Sequence, residues 1–169
     1  SMAAYADTEG GFLMLKRMPD GAVWTKRIDV DPELGRAVSW SEREPGGGLG
    51  QITAHRDDPE DRYDPRTRPW FQVAETAEGL RWTDVYVFFT DKAPGVTAAV
   101  AHRVDGELAG VVAVDVSLAE FSRFLAGLEV SERGEAYLVD SQGRLVATPR
   151  PDELLVEERT EDGSTLALR

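Results

Sequence analysis

The 169-residue chain contains no cysteine, which excludes disulfides, thiolate metal sites and cysteine nucleophiles and leaves the redox compartment unmarked. Basic residues are in deficit: 19 Lys and Arg stand against 31 Asp and Glu, for a formal charge of −12. A polyanion has to be met by Lys and Arg, so nucleic acid is not an expected partner. Histidine is scarce too. His55 and His102, the 2 present, lie far apart, each beside an arginine, without metal-binding spacing. Long apolar runs are missing: no stretch approaches the roughly 18 residues needed to cross a bilayer, and no basic-then-apolar leader opens the chain. Ser1 ahead of Met2 reads as a cloning remnant, which makes the sequence an excised fragment whose targeting and anchoring segments lie elsewhere.

Phosphate and calcium motifs are absent as well. Gly46-Gly47-Gly48 is not followed by Lys-Ser or Lys-Thr, and the acidic run Asp57 to Asp61 lacks the Gly and terminal Glu of a calcium loop. No metal or cofactor is expected. With no Ser-His-Asp set and only scattered carboxylates, neither is catalysis.

What is present is a globular composition, 41% hydrophobic and 30% charged with four Trp, enough for one domain or one domain and part of another. Pro19-Asp20-Gly21 between two apolar runs predicts a hairpin. Asp31-Pro32 predicts a capped helix through about Trp40, and residues 41–62, which lose the apolar rhythm, predict a long exposed loop. Thr67-Arg68-Pro69 predicts a second helix running to about Ala77 and ending at Gly79. DVYVFFT, GVTAAVAHRV and ELAGVVAVDVS, the last two joined by Asp105-Gly106, predict an antiparallel meander. Ser117 then caps a helix whose Leu118, Phe121, Phe124, Leu125 and Leu128 share one face and are expected to pack on the sheet. A strand pair around Ser141-Gln142-Gly143 follows. An α+β sheet of about five or six antiparallel strands flanked by helices is the expected architecture.

Four blocks, YDPRTRPWF (Tyr63 to Phe71), WTDVYVFF (Trp82 to Phe89), LAGVVAVDVSLAEFSRFL (Leu108 to Leu125) and GEAYLVDSQGRLVATP (Gly134 to Pro149), resemble the double Cache family. These are two-lobed, PAS-like extracytoplasmic sensor domains of chemoreceptors, sensor kinases and nucleotide cyclases. The resemblance implies a membrane-distal lobe over 1–130 and the opening strands of a truncated membrane-proximal lobe over 131–169. It also implies a periplasmic sensor of a membrane-anchored receptor, with a homodimer as its expected assembly. The family's amino-acid binders carry a Tyr, an Arg-x-Trp, a second Tyr and an Asp around a pocket, which Tyr63, Arg68, Trp70, Tyr86 and Asp115 match. Phe71 stands where the family commonly has Tyr. Phe88, two residues after Tyr86, stands where such binders often carry an acid; both line the implied pocket.

The residues themselves point the same way and leave alternatives open. Arg68 offers a rigid donor fork for a carboxylate at a helix N-terminus, or it pairs with Asp64 and the acidic loop. Asp115 interrupts an apolar run, so it faces a ligand ammonium or caps the following helix. The aromatic residues lend stacking and cation–π surface or are ordinary core. The expected partner is an amino acid, carboxylate or amine, with segment 41–62 as a lid over it. A Cache lobe without a ligand, serving as spacer or protein-docking module, is the competing reading, and Phe88 is the residue that favours it.

Overall fold

The structure is a computed structural model; it describes residues 2–44, 51–131, 134–140 and 142–150, and the backbone of strands 155–160 and 163–168. Strands β1 (Met2–Asp7), β2 (Phe12–Arg17), β3 (Val23–Asp31), β4 (Gly35–Arg43) and β5 (Ile52–Asp57) come first. A 3-10 turn (Pro65–Thr67), α1 (Pro69–Glu75), β6 (Arg81–Trp82), β7 (Tyr86–Val87), β8 (Pro94–Val104), β9 (Glu107–Ser117) and α2 (Leu118–Ala126) follow. Two separate hairpins, β10 (Leu138–Val139) with β11 (Leu145–Ala147) and β12 (Leu155–Thr160) with β13 (Gly163–Leu168), end the chain.

β1 to β9 form one nine-stranded antiparallel sheet in the order β5-β4-β3-β2-β1-β9-β8-β6, with β7 also paired to β8. The class is the expected one, but the sheet is larger than five or six strands because two segments read as helix and loop are strand and because β1 and β6 add two more. Between Asp31 and Trp40 the local signal misleads: the Asp31 carboxylate does cap the amides of Glu33 and Leu34, at 2.8 Å each. The chain then reverses through Gly35 at φ +81° and runs back along β3, pairing Ile28 with Val38 and Lys26 with Trp40. Val38 and Trp40 are buried at period two, a strand rhythm that outweighs one cap. Likewise 41–62 is not one loop, since β4 continues to Arg43 and β5 pairs with it from Asp57 back to Ile52. Residues 45–50, with the triple glycine, lie outside the described residues.

The other turns and caps follow their local chemistry. Gly21, at φ +88°, closes the loop between β2 and β3, its amide donating to Met18 O, and Asp105-Gly106, at φ +51° and +88°, closes β8–β9, as a two-residue turn with a right-handed strand twist requires. In the meander, β7 is shorter than the expected DVYVFFT strand: it stops at Val87, and Phe88 and Lys92 close a turn through Phe88 N to Ala93 O and Lys92 N to Phe88 O. Ser117 caps α2 in a reciprocal box with Glu120. Only Leu118 and Ser122 of α2 are buried, however; Phe124 and Leu128 are 63% and 42% exposed, so the expected packing of that whole face on the sheet does not occur. The helix contacts β8, β9 and β11.

One sheet face carries the core. Small residues Ala4, Ala6, Ala99 and Ala113 sit at its centre, leaving room for α1 to bury Trp70, Phe71 and Ala74 against β8 and β9. Larger side chains, Phe12, Met14, Ile28, Val38 and Trp40, extend that core across β2 to β4. Successive residues point to opposite faces, so Leu13, Val112 and Val114, each 42% exposed, fall on the reverse face.

Candidate ligand-binding site

The site is built where α1, the β7–β8 turn and the ends of β1, β2 and β9 meet. Asp64 caps the 3-10 turn by accepting the Arg66 amide, and the Thr67 hydroxyl donates to Asp64 O instead of capping the helix. Arg68 is itself the extended N-cap residue of α1, with Pro69 at the first helical position. Pro69 has no N–H and α1 has only seven residues, so the expected help from helix amides is small and attraction for an anion rests on the guanidinium.

The Asp64 carboxylate is taken by Arg66, at 2.8 Å. Among the described residues Arg68 has no carboxylate partner; its Nη2 donates to Val87 O at 3.1 Å, and its guanidinium stacks over Tyr86 and Phe89 at 5.7 and 5.9 Å. The alternative in which Arg68 pairs with Asp64 is therefore removed. A guanidinium with one carbonyl partner keeps donors for an incoming carboxylate.

Asp115 lies on β9, two residues before the α2 cap, so it is not the cap. Its Oδ1 accepts from Thr97 Oγ1 at 2.6 Å, and Thr97 Oγ1 is 2.6 Å from the Tyr86 hydroxyl. A threonine hydroxyl has one proton; with that proton given to Asp115, Tyr86 must donate to Thr97, which fixes the direction of the chain. Burial pushes the Asp115 carboxyl up to about 6, against the Thr97 hydrogen bond that favours the anion, with Asp91 adding a like charge. The Tyr86 phenol is raised as well, by burial and then by the Asp115 charge.

Tyr63 and Trp70 form the floor. Trp70 Nε1 donates to the Tyr63 hydroxyl at 3.3 Å, and burial raises the Tyr63 phenol to about 12. Phe12 and Phe89 each pack on the Tyr63 ring at 5.0 Å. The structure thus brings Tyr63, Arg68, Trp70, Tyr86, Phe88 and Asp115 onto one cavity. Phe71 does not line it; it is buried beneath Trp70, 5.7 Å away edge to face. The cavity measures about 30 Å³, room for about one water. Phe88, Phe89 and Thr90 line it on the β7–β8 side, and none of the described residues of segment 41–62 lines it.

Sequence reasoning missed the ion pair behind this wall. Lys26 and Asp61 are 1% and 8% exposed, with Nζ 2.6 Å from Oδ2, although Asp61 belongs to the run read as solvated loop. Arg36 donates to Asp61 O and Tyr63 O at 2.7 Å each, and the Tyr63 amide donates to Asp61 Oδ1 at 2.8 Å. Lys26 Nζ also lies 4.7 Å from the Tyr63 ring centre. Burial lowers the Lys26 ammonium, with Asp61 opposing; burial also works against the Asp61 carboxylate, yet its hydrogen bonds from Lys26 and Tyr63 hold it below the usual range. A lysine inside an alternating strand, Lys26 between Ile28 and Trp24, was the available signal.

An antiparallel sheet with one helix-covered face, and a pocket at its end lined by opposite charges and aromatic rings, defines a PAS-like sensor domain of the Cache type. The family model described as methyl-accepting chemotaxis protein-like, first PDC sensor domain, matches residues 7–123, and the chain belongs to that family. Among curated relatives, the methyl-accepting chemotaxis protein PscA of Pseudomonas syringae pv. tomato is 33% identical over 87 residues, 52% of this chain and 14% of PscA. Adenylate cyclase 1 of Rhizobium meliloti is 27% identical over 135 residues, 74% of this chain and 20% of the cyclase. The chain therefore spans about a seventh to a fifth of these relatives. Among solved structures, the ligand-binding domain of the Pseudomonas fluorescens chemoreceptor CtaA, in complex with L-serine, superposes with a TM-score of 0.54 at 23% identity, covering 88% of this chain and 47% of that one. The ligand-binding domain of the Pseudomonas aeruginosa amino acid chemoreceptor PctB, in complex with L-Arg, gives 0.54 at 22%, covering 89% and 48%. Likeness at that identity shows the fold. Among the described residues no helix is long and apolar enough to cross a membrane.

Proposed function

We propose that this domain senses an amino acid or related small carboxylate from outside the cytoplasm and passes a conformational bias to a membrane-anchored receptor. The observation that carries the reading is the pairing of Arg68, without a carboxylate partner, and Asp115 across one aromatic cavity. Arg68 takes the carboxylate as a two-donor fork; Asp115, half-buried and without an ion-pair partner among the described residues, takes the amine. CtaA and PctB, which share the fold, are described with L-serine and L-Arg bound. Because the cavity measures only about 30 Å³, the ligand must displace the Phe88–Lys92 turn to enter, and that displacement is the bias to be transmitted. Residues 1–130 form the ligand-binding, membrane-distal lobe, and 131–169 open a second, membrane-proximal one. The whole receptor is anchored in the inner membrane, with homodimers as its signalling form. Relatives of two kinds, a chemotaxis protein and a cyclase, carry such a domain, which fits a sensor that is separable from its output and performs no chemistry.

A second reading, a lobe without a ligand that acts as spacer or docking module, draws on the same small cavity and on Phe88, which lines it. A thermal-shift screen against L-amino acids, amines and small carboxylates separates the two, since a ligand stabilises the fold it binds by mass action. Stabilisation by a carboxylate, lost in Arg68→Ala, supports the sensor; no stabilisation by any member supports the spacer.

A further inference from the structure

Tyr86 and Asp115 both line the cavity, and Thr97, which does not line it, joins them. Thr97 lies on β8 directly opposite Asp115 of β9 and is 0% exposed, out of reach of a ligand. Its backbone is engaged with the segment before β7: Thr97 N donates to Thr83 Oγ1 at 2.9 Å, and Thr83 N donates to Thr97 O at 3.0 Å. The bonds of the Thr97 hydroxyl go instead to Tyr86 and Asp115, at 2.6 Å each. The Tyr86 ring has little freedom to turn away, since the Arg68 guanidinium lies over it at 5.7 Å and Phe88 meets it edge to face at 5.3 Å. Phe88 is in turn wedged against β8, where a Cβ on Gly95 would fall 2.2 Å from its ring.

One hydroxyl proton fixes what this pair can offer. With Asp115 ionised, Thr97 donates to Oδ1 and Tyr86 donates to Thr97, so the Tyr86 proton is committed and its oxygen has only lone pairs left. Asp115 keeps Oδ2, which has no hydrogen-bond partner among the described residues. Both groups are then acceptors, while the hydroxyl of Thr90, also on the cavity, can turn either way. A ligand group that brings donors is matched there; one that can only accept meets lone pairs and leaves them unpaired. We infer that Thr97 is a positioning residue that sets the hydrogen-bond polarity of this end, so that the site takes a 2-amino acid, takes the 2-hydroxy acid of the same carbon skeleton less well and rejects the 2-oxo acid. The inference rests on the proposed reading of Arg68 and Asp115 as the two ends of the site.

The test is calorimetric titration of the whole chain with L-alanine, L-lactate and pyruvate, which differ only in the group on C2, at about pH 8, where Asp115, with its pKa of about 6, is ionised. The native chain is expected to bind them in that order, with about tenfold or more between alanine and pyruvate. Thr97→Val keeps the β-branched shape and removes the hydroxyl. It releases the Tyr86 proton, so alanine is expected to weaken and pyruvate to gain, narrowing the preference by about fivefold or more. Thr97→Ala, which puts no methyl between the two oxygens, carries the same expectation if the valine variant does not fold. Thr97→Ser returns the hydroxyl and is expected to restore the native order. A residue that merely held the fold would change all three affinities together. Uniform weakening or an unchanged preference in a folded Thr97→Val or Thr97→Ala chain overturns the inference, as do native binding in which pyruvate equals alanine and absence of binding by all three. If alanine binds through Arg68 and Asp115 while the Thr97 variants keep the native preference, only this inference fails. If no carboxylate binds through Arg68, the proposed site fails with it.

Discussion

Replacing Lys26 by Met removes an ammonium that is 1% exposed and leaves the Asp61 carboxylate, 8% exposed, without its 2.6 Å partner. Arg36 Nη2, 3.5 Å from Oδ1, and the Tyr63 amide, at 2.8 Å, remain, so the loss is cushioned at one oxygen and uncushioned at the other. Breaking a buried pair from one side costs about 3–5 kcal/mol; with these two donors left in place, about 3 kcal/mol is expected. At about 2–4 °C per kcal/mol for a domain of this size, the melting temperature should fall by roughly 6–12 °C. Asp61→Asn, which keeps the shape but removes the charge, should cost a similar amount, and the double variant should cost clearly less than the sum, with a coupling of about 2 kcal/mol. Urea denaturation of the four proteins supplies the cycle. Additive losses, or a Lys26→Met cost below about 1 kcal/mol, would refute the claim that this pair anchors the segment leading into Tyr63 and Arg68.

Two further outcomes follow from the same geometry. Gly95→Ala places a Cβ 2.2 Å from the Phe88 ring and 2.7 Å from Val116 O; the backbone oxygen has little freedom to retreat, so denaturation should show a loss of about 2 kcal/mol or more, and a loss under about 0.5 kcal/mol would show that the wedge is loose. Asp115 has its folded pKa raised to about 6, so the proton favours the folded state. The resulting stability is fully present below the unfolded value near 4 and is lost as pH rises through about 6. Ligand-free wild type should therefore lose on the order of 2 kcal/mol relative to Asp115→Asn between pH 4 and 7, and parallel profiles for the two proteins would contradict this.

The grouping of Tyr63, Arg68, Trp70, Tyr86 and Asp115 came through the family resemblance, whereas the hairpin turns, the α2 cap and the meander were legible in the residues themselves. Each is encoded locally or by a compact motif: Asp105-Gly106 needs only its two positive φ values, and Ser117 needs only the turn that follows it. What was misread depends on partners far along the chain. Asp31-Pro32 is a sound cap, but whether a helix follows is decided by whether Val38 and Trp40 find Ile28 and Lys26 across a strand pair. Asp61 reads as one more loop acid because its partner Lys26 is 35 residues away. The position of Phe88 was legible, but its burial was not: the ring is held by Gly95 and Tyr86, and only the folded β7–β8 turn shows that it is buried in the cavity wall.

The central claim, that Arg68 and Asp115 hold the two ends of one small carboxylate ligand, is tested most directly by calorimetry. The L-amino acid or related carboxylate that most stabilises the chain in the thermal screen is titrated into wild type, Arg68→Ala and Asp115→Asn, with folding of each checked by circular dichroism. Loss of a charge-assisted fork of about 1.5–3 kcal/mol predicts that Arg68→Ala binds roughly ten- to a hundredfold more weakly. Asp115→Asn should weaken amine-bearing ligands while sparing carboxylates without an amine. Unchanged affinity in both folded variants would contradict the site.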